Sequence, residues 1–204
     1  MTVAVLPALA ALRDAPAIAT GGSVVVASPD AAAPAARVEA ERVAAVLGAS
    51  LFADDAASSD VLLALDRPAC LHVAAHGRHR ADAPAASGVR LADGWFRAAE
   101  FARLRLSGST VVLSGCETGM SAVDAGDESH GLVRGVLAAG ASDVVSSLWR
   151  IDDTATARFM ERLHALRATG SPLESALAAV QREHAAAGAP PWHWAGFVHH
   201  ARRV

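Results

Sequence analysis

The chain reads as an α/β protein with a mostly parallel central sheet and helices on both faces, and three observations predict this. Short β-branched or apolar runs alternate with stretches of helical period, the pattern of strands joined by helical crossovers. The strand runs lack in/out alternation: Ser23 to Ser28, Val111-Val112-Leu113 and, after its first residue, the run from Asp143 to Leu148 stay apolar or small, as in a sheet covered on both sides. The runs ending at His76-Gly77 and at Gly115-Cys116 stop on glycine, where the backbone can pass close to a ligand.

The elements follow in order. Ser23 to Ser28 is a buried strand stopped by Pro29-Asp30. From Arg37 to Leu47 the apolar Val43, Val46 and Leu47 fall at i, i+3 and i+4, which predicts an amphipathic helix with Glu39, Glu41 and Arg42 in solvent and Gly48 at its end. Leu51-Phe52 is a minimal strand, and Ser58-Ser59-Asp60 opens a helix whose Val61, Leu62 and Leu65 share a face before Pro68. The strand from Cys70 ends at His76. Arg78 to Ser87 is an aperiodic polar loop, and Val89 to Arg97 is a hairpin with Asp93-Gly94 at the turn, an insertion in the alternating pattern. After the Val111 strand comes a glycine-rich acidic loop through Gly126-Asp127-Glu128, then a core helix carrying Leu132, Val133, Val136 and Leu137 up to Gly140. The Asp143 strand exits into Trp149-Arg150-Ile151-Asp152-Asp153-Thr154, whose acids can cap a helix burying Phe159, Met160, Leu163 and Leu166. Ser171-Pro172-Leu173-Glu174 has the form of a capping box, and Trp194 to Val198 is a closing strand.

Composition narrows the function. With 204 residues, 52% hydrophobic and 19% charged, the chain can bury a sizeable core without staples. The formal charge is −3 and basic residues are scattered, so there is no footprint for nucleic acid or for an anionic membrane. No run is long and apolar enough to span a bilayer, and residues 1–22 lack the basic start of a signal peptide. That leading segment is read as the tail of an upstream region or as an edge strand, ahead of one domain over residues 23–204. Two cysteines, Cys70 and Cys116, do not make a disulfide framework, and a reducing cytoplasmic setting is expected.

The chemistry gathers at His76 and Cys116. Parallel strands ending side by side would bring an imidazole and a thiol to one sheet edge. A thiol ionises only slightly near neutrality, so acyl transfer requires a neighbouring imidazole to take its proton. The tetrahedral intermediate needs backbone donors, for which the Gly77 and Cys116 N–H groups are the natural candidates. Cys70, in a strand beside leucine, is expected to be core. Other readings carry less. His72, His76, His79 and Cys116 lack zinc-motif spacing, no glycine-rich phosphate loop supports a nucleotide binder, no cofactor is called for, and His130, His193, His199 and His200 are assigned to the surface or loops.

These residues resemble the CHAT domains, caspase-like cysteine peptidases of the caspase, separase and gingipain group. The resemblance rests on Leu71-His72-Val73-Ala74-Ala75-His76-Gly77, Ser87-Gly88-Val89-Arg90-Leu91, Leu113-Ser114-Gly115-Cys116-Glu117-Thr118-Gly119, Ala139-Gly140-Ala141, Ser147-Leu148-Trp149, Asp152-Asp153-Thr154 and Trp194-Ala195-Gly196-Phe197, in that order. It implies a caspase-like three-layer sandwich and a His76/Cys116 dyad that cleaves a dedicated protein or peptide substrate, in bacterial signalling or defence. It also implies upstream tetratricopeptide repeats or an activating protein as partners. A catalytically silent or partner-activated module of the same fold is the alternative. Ser114 stands where caspases carry a glutamine that helps bind an acidic side chain, which argues against an aspartate pocket. Trp149, Asp152 and Asp153 fall in the loop that lines the specificity pocket in this group, and a carboxylate there could pair with a basic P1 residue.

Overall fold

The apolar runs assemble as a six-stranded sheet. The computed structural model describes residues 18–30, 33–120, 122–123 and 129–202, so most of the leading segment and Gly126-Asp127-Glu128 lie outside the described residues. In chain order the elements are β1 (Val24–Ser28), α1 (Ala36–Leu47), β2 (Ser50–Ala53), α2 (Ser59–Leu63), β3 (Cys70–Ala75), β4 (Gly77–Arg78), β5 (Gly88–Leu91), β6 (Gly94–Arg97) and α3 (Ala98–Phe101). They continue with β7 (Thr110–Leu113), β8 (Ala122–Val123), β9 (Ser129–His130), α4 (Leu132–Ala138), β10 (Asp143–Ser147), α5 (Asp153–Ala168), α6 (Leu173–Ala186) and β11 (Phe197–Ala201). The sheet order is β11-β10-β7-β3-β1-β2, and every pairing in it is parallel except that of β11 with β10. The three-layer α/β arrangement expected from the sequence is observed.

Both faces of the sheet are covered, which is why its strands are apolar in both directions. Leu71, Val73 and Ala75 of β3 pack with Leu62 of α2, Phe101 of α3 and Val136 of α4. Ala74, one residue out of phase, packs on the opposite side with Val43 of α1, Phe159 and Met160 of α5 and Val180 of α6. The hairpin β5–β6, with β4, forms a separate three-stranded sheet beyond the end of β3. Among the described residues no helix is long and apolar enough to cross a membrane.

Several local expectations are corrected. Glu39, assigned to solvent, is 2% exposed and accepts a contact from His72 Nε2 at 2.8 Å. Its neighbours Ala36, Ala40 and Val43 are buried as well, so the apolar stripe of α1 extends one turn further and includes an acid. The hairpin pairs Leu91 with Gly94, which makes Ala92-Asp93 the turn, one residue earlier than expected. Helix α6 begins after Pro172 with no side-chain cap, so the Ser171/Glu174 capping box does not form. The closing strand runs three residues later than Trp194 to Val198. The tryptophan belongs to the preceding turn, its indole donating to Ala189 O, and the strand uses His199 and His200 instead. These histidines are 3% and 8% exposed, contrary to their surface assignment, because β10 supplies partners: Asp143 Oδ1 at 2.8 Å from His199 Nε2, and Ser146 Oγ at 3.1 Å from His200 Nε2.

Candidate active site

The parallel register of β3 and β7, Val73 opposite Leu113, sends both chains off the sheet at the same edge. Just beyond it, His76 and Cys116 line one cleft together with Ala33, Glu39, Ile151 and Asp153. Both side chains are half-buried. The cleft is narrow, with about 20 Å³ open to water-sized occupants, roughly the room one water needs. Cys70 lies elsewhere, in the buried start of β3, and burial pushes its thiol up to about 12, which makes it a poor nucleophile.

The turn carrying Cys116 is held by hydroxyls. Gly115 O accepts from Ser147 Oγ at 2.6 Å and is also reached by Thr118 Oγ1 at 3.0 Å. The Thr118 hydroxyl lies 3.0 Å from Leu113 O as well, and accepts from the Ser147 N–H at 3.2 Å, tying β7, the turn and β10 together. Glu117 takes a positive φ of 59°, a conformation costly for a residue with a side chain, which that anchoring sustains. Cys116 Sγ points toward Ile151 O, 4.0 Å away.

The flanking glycines are required by close backbone approach. A Cβ on Gly115 would sit 2.1 Å from Ala75 O, and one on Gly77 would sit 2.3 Å from Cys116 O. His76 O accepts from the Arg90 N–H at 2.8 Å, so the bonded pairs of the β4–β5 ladder are 76/90 and 78/88. The alternation of an antiparallel ladder then turns the Gly77 N–H away from β5.

The remaining residues singled out from the sequence separate into pocket and periphery. Ser114 lines the cleft, is 7% exposed and has its hydroxyl on Val73 O at 3.3 Å. Asp153 lines the cleft, accepting from the Ala35 N–H at 2.5 Å. Burial raises its pKa, and the negative charges of Glu39, Asp152 and Asp30 add to the rise while the Ala35 hydrogen bond opposes it. Asp152 does not line the cleft. It caps α5, accepting from the Ala155 N–H at 2.9 Å. Trp149 also lies off the cleft, packed against Gly196 with its Nε1 donating to Trp192 O at 3.0 Å.

Glu39 is the cleft residue that sequence reasoning missed, although its i+4 spacing to Val43 placed it on the buried stripe. Behind it runs a buried chain: His72 Nε2 on Glu39 Oε1, and His72 Nδ1 on His164 Nε2 of α5 at 3.1 Å. Burial, with the nearby His72 and Arg167, holds the His164 pKa well below the usual histidine value. His72 therefore serves the α1/α5 layer and shares no ligand set with Cys116. Among the described residues no group of three His, Cys, Asp or Glu side chains could hold a metal.

Comparison with solved structures gives the same architecture. Gingipain R, described as an Arg-specific cysteine proteinase, matches with TM-score 0.57 at 11% identity over 89% of this chain and 46% of its own. Its complex of pro- and mature domains from Porphyromonas gingivalis matches with TM-score 0.53 at 10% identity over 89% of this chain and 47% of its own. Separase in the Saccharomyces cerevisiae separase–securin complex matches with TM-score 0.60 at 15% identity over 93% of this chain and 12% of its own. The chain thus spans less than half the length of each of these proteins. Comparison with curated protein sequences finds no match. The family model for the CHAT domain matches residues 1–202. With that match across nearly the whole chain, and with the fold of gingipain and separase, the chain belongs to the CHAT domain family.

Proposed function

We propose that the protein is a cysteine endopeptidase acting by thiol acyl transfer. The observation that carries this is the presence of His76 and Cys116 in one cleft at neighbouring strand ends. His76 takes the thiol proton and the Cys116 sulfur attacks the scissile carbonyl carbon, moving the carbonyl electron pair onto oxygen. The Gly77 and Cys116 N–H groups receive that oxyanion, an assignment supported by the Gly77 N–H facing away from β5. Collapse breaks the C–N bond, His76 returns the proton to the leaving amine, and water hydrolyses the thioester. Gingipain and separase, named as proteinase and as partner of securin, lend support through their shared fold.

The substrate side chain we propose is basic. Glu39 and Asp153 line the cleft, among the described residues no lysine or arginine does, and a guanidinium or ammonium there would be matched by two carboxylates. Asp152, occupied as a cap, and Trp149, packed on Gly196, take outer positions at most. A cleft with room for about one water cannot admit an arginine side chain unaltered, which favours a resting form opened by substrate or by an activating protein. We place this activity in the cytoplasm, on one dedicated protein substrate.

The test is a peptide library with Arg, Lys, Leu and Met at P1, followed by terminal-amine profiling of protein substrates against Cys116→Ala. Cleavage after basic residues that vanishes in Cys116→Ala is expected. Activity retained by Cys116→Ala would refute the mechanism, and cleavage only after Leu or Met would refute the basic P1 assignment.

A further inference from the structure

The β5–β6 hairpin has an inner and an outer face. Val89, Leu91 and Phe96 are buried in the core, whereas Arg90, Trp95 and Arg97 alternate with them and lie on the other side. An indole on that outer face has no part in filling the core. It meets His76 instead, with ring centroids 6.0 Å apart and planes at 63°, an edge-to-face contact. The Arg78 guanidinium lies over the same indole, 4.2 Å from its centroid.

Strand register explains how one ring reaches both. The His76–Arg90 hydrogen bond and the Arg90–Trp95 pairing put His76, Arg90 and Trp95 in one row across three strands. In the adjoining row Arg78 faces Gly88, which has no side chain, so the indole can lean across to both His76 and Arg78. Among the described residues no side chain hydrogen-bonds the His76 imidazole.

We propose that Trp95 is the positioning residue for His76, with the Arg78 guanidinium holding the indole by its contact over the ring. The proposal rests on the assignment of His76 as the general base. An imidazole can rotate about its side-chain torsions, and an indole packed edge-to-face against it closes off part of that rotation. Among the described residues, the charged groups that share its small sheet or its cleft are Arg78, Arg90 and Arg97, with Glu39 and Asp153.

Kinetics of Trp95→Ala, Trp95→Phe and Arg78→Ala test this on a cleaved peptide. Trp95→Ala should lower kcat by about 10- to 100-fold with KM within about threefold, since a misplaced base costs the chemical step and not binding. Trp95→Phe should recover part of the loss, and Arg78→Ala should fall in the same direction by less. A second measurement is independent of turnover: protonation of an imidazole in contact with an indole quenches its fluorescence. A pH titration of wild-type emission should show a step that is absent from both Trp95→Phe and His76→Asn. Any step from Trp192, which meets His193 at 6.0 Å, should persist in both. Wild-type kcat in a folded Trp95→Ala, or a titration step unchanged in Trp95→Phe, overturns the proposal. If the wild-type protein cleaves no peptide, the peptidase assignment fails separately. Cys116 alkylation rate then replaces kcat, with slowing in Trp95→Ala expected and an unchanged rate overturning the proposal.

Discussion

Replacing Gly77 by alanine should disable the candidate site while leaving the fold largely intact. The added methyl carbon would lie 2.3 Å from Cys116 O and 2.8 Å from Thr118 Cγ2, both inside the separation that real Cβ atoms reach. An ordinary contact needs about 1 Å more, and the nearer obstacle is backbone, which no rotamer change can relieve. The carbonyl cannot retreat alone, because the turn bearing it is fastened through Gly115 O to Ser147 and Thr118. The displacement must therefore pass into the Gly77 or Cys116 peptide, the two proposed oxyanion donors. A shift of about 1 Å at such a site costs on the order of 100-fold in turnover, and overpacking costs about 1–3 kcal/mol of stability. Peptide turnover, Cys116 alkylation rate and urea melts would be measured on Gly77→Ala beside Gly22→Ala, where an added Cβ meets nothing within 4 Å. Loss of activity in the first and none in the second is expected. Full activity with unchanged stability in Gly77→Ala would show that the close approach of these two loops is not needed.

Stability should fall in mild acid. Burial, with the neighbouring His199 adding to it, pushes the His200 pKa down from the ordinary 6.5 to about 4 in the folded protein. The unfolded chain thus binds more protons between those values, and the stability from neutral His200 is complete above about pH 6.5 and lost as pH falls toward 4, roughly 3 kcal/mol in all. Urea melts of wild type and His200→Gln at pH 7 and pH 4.5 should converge at the lower pH, and parallel pH slopes would disprove the assignment. His164, depressed in the same direction, should add to the loss. Phe159→Ala, which removes a ring 4.5 Å from Phe197 between α5 and β11, should cost about 3–5 kcal/mol by chemical denaturation. A limiting thiol reagent at pH 8 should label Cys116 and leave Cys70 unmodified until the protein unfolds, as peptide mapping would show.

What the sequence made legible follows from what local patterns encode. The strand runs were readable because a doubly covered sheet requires residues apolar on both faces, and the helix between Arg37 and Gly48 because its apolar spacing and left-handed glycine stop are local signals. Glycines 77 and 115 marked the site because only glycine tolerates those backbone distances. Glu39, His199 and His200 were misassigned because their partners lie 33, 56 and 54 residues away, and a polar side chain looks solvent-bound until the partner that satisfies it is known. Trp95 escaped notice for a related reason. Its position in a hairpin was evident, but which of two faces it shared with His76 depends on a register set one residue from the expected turn.

The buried Glu39–His72–His164 chain has a consequence for how the helical layer finds its place. Helix α1 packs through Ala36, Ala40 and Ala44 around Val43, a nearly smooth surface that could slide along the sheet with little change in contact. The three polar groups can all be satisfied at only one setting of α1 and α5 on β3, so they act as a key in an otherwise featureless lock. Replacing all three with volume-matched apolar residues should leave the melting temperature equal or higher, yet broaden the methyl resonances of α1 and α5 as the helices sample neighbouring registers.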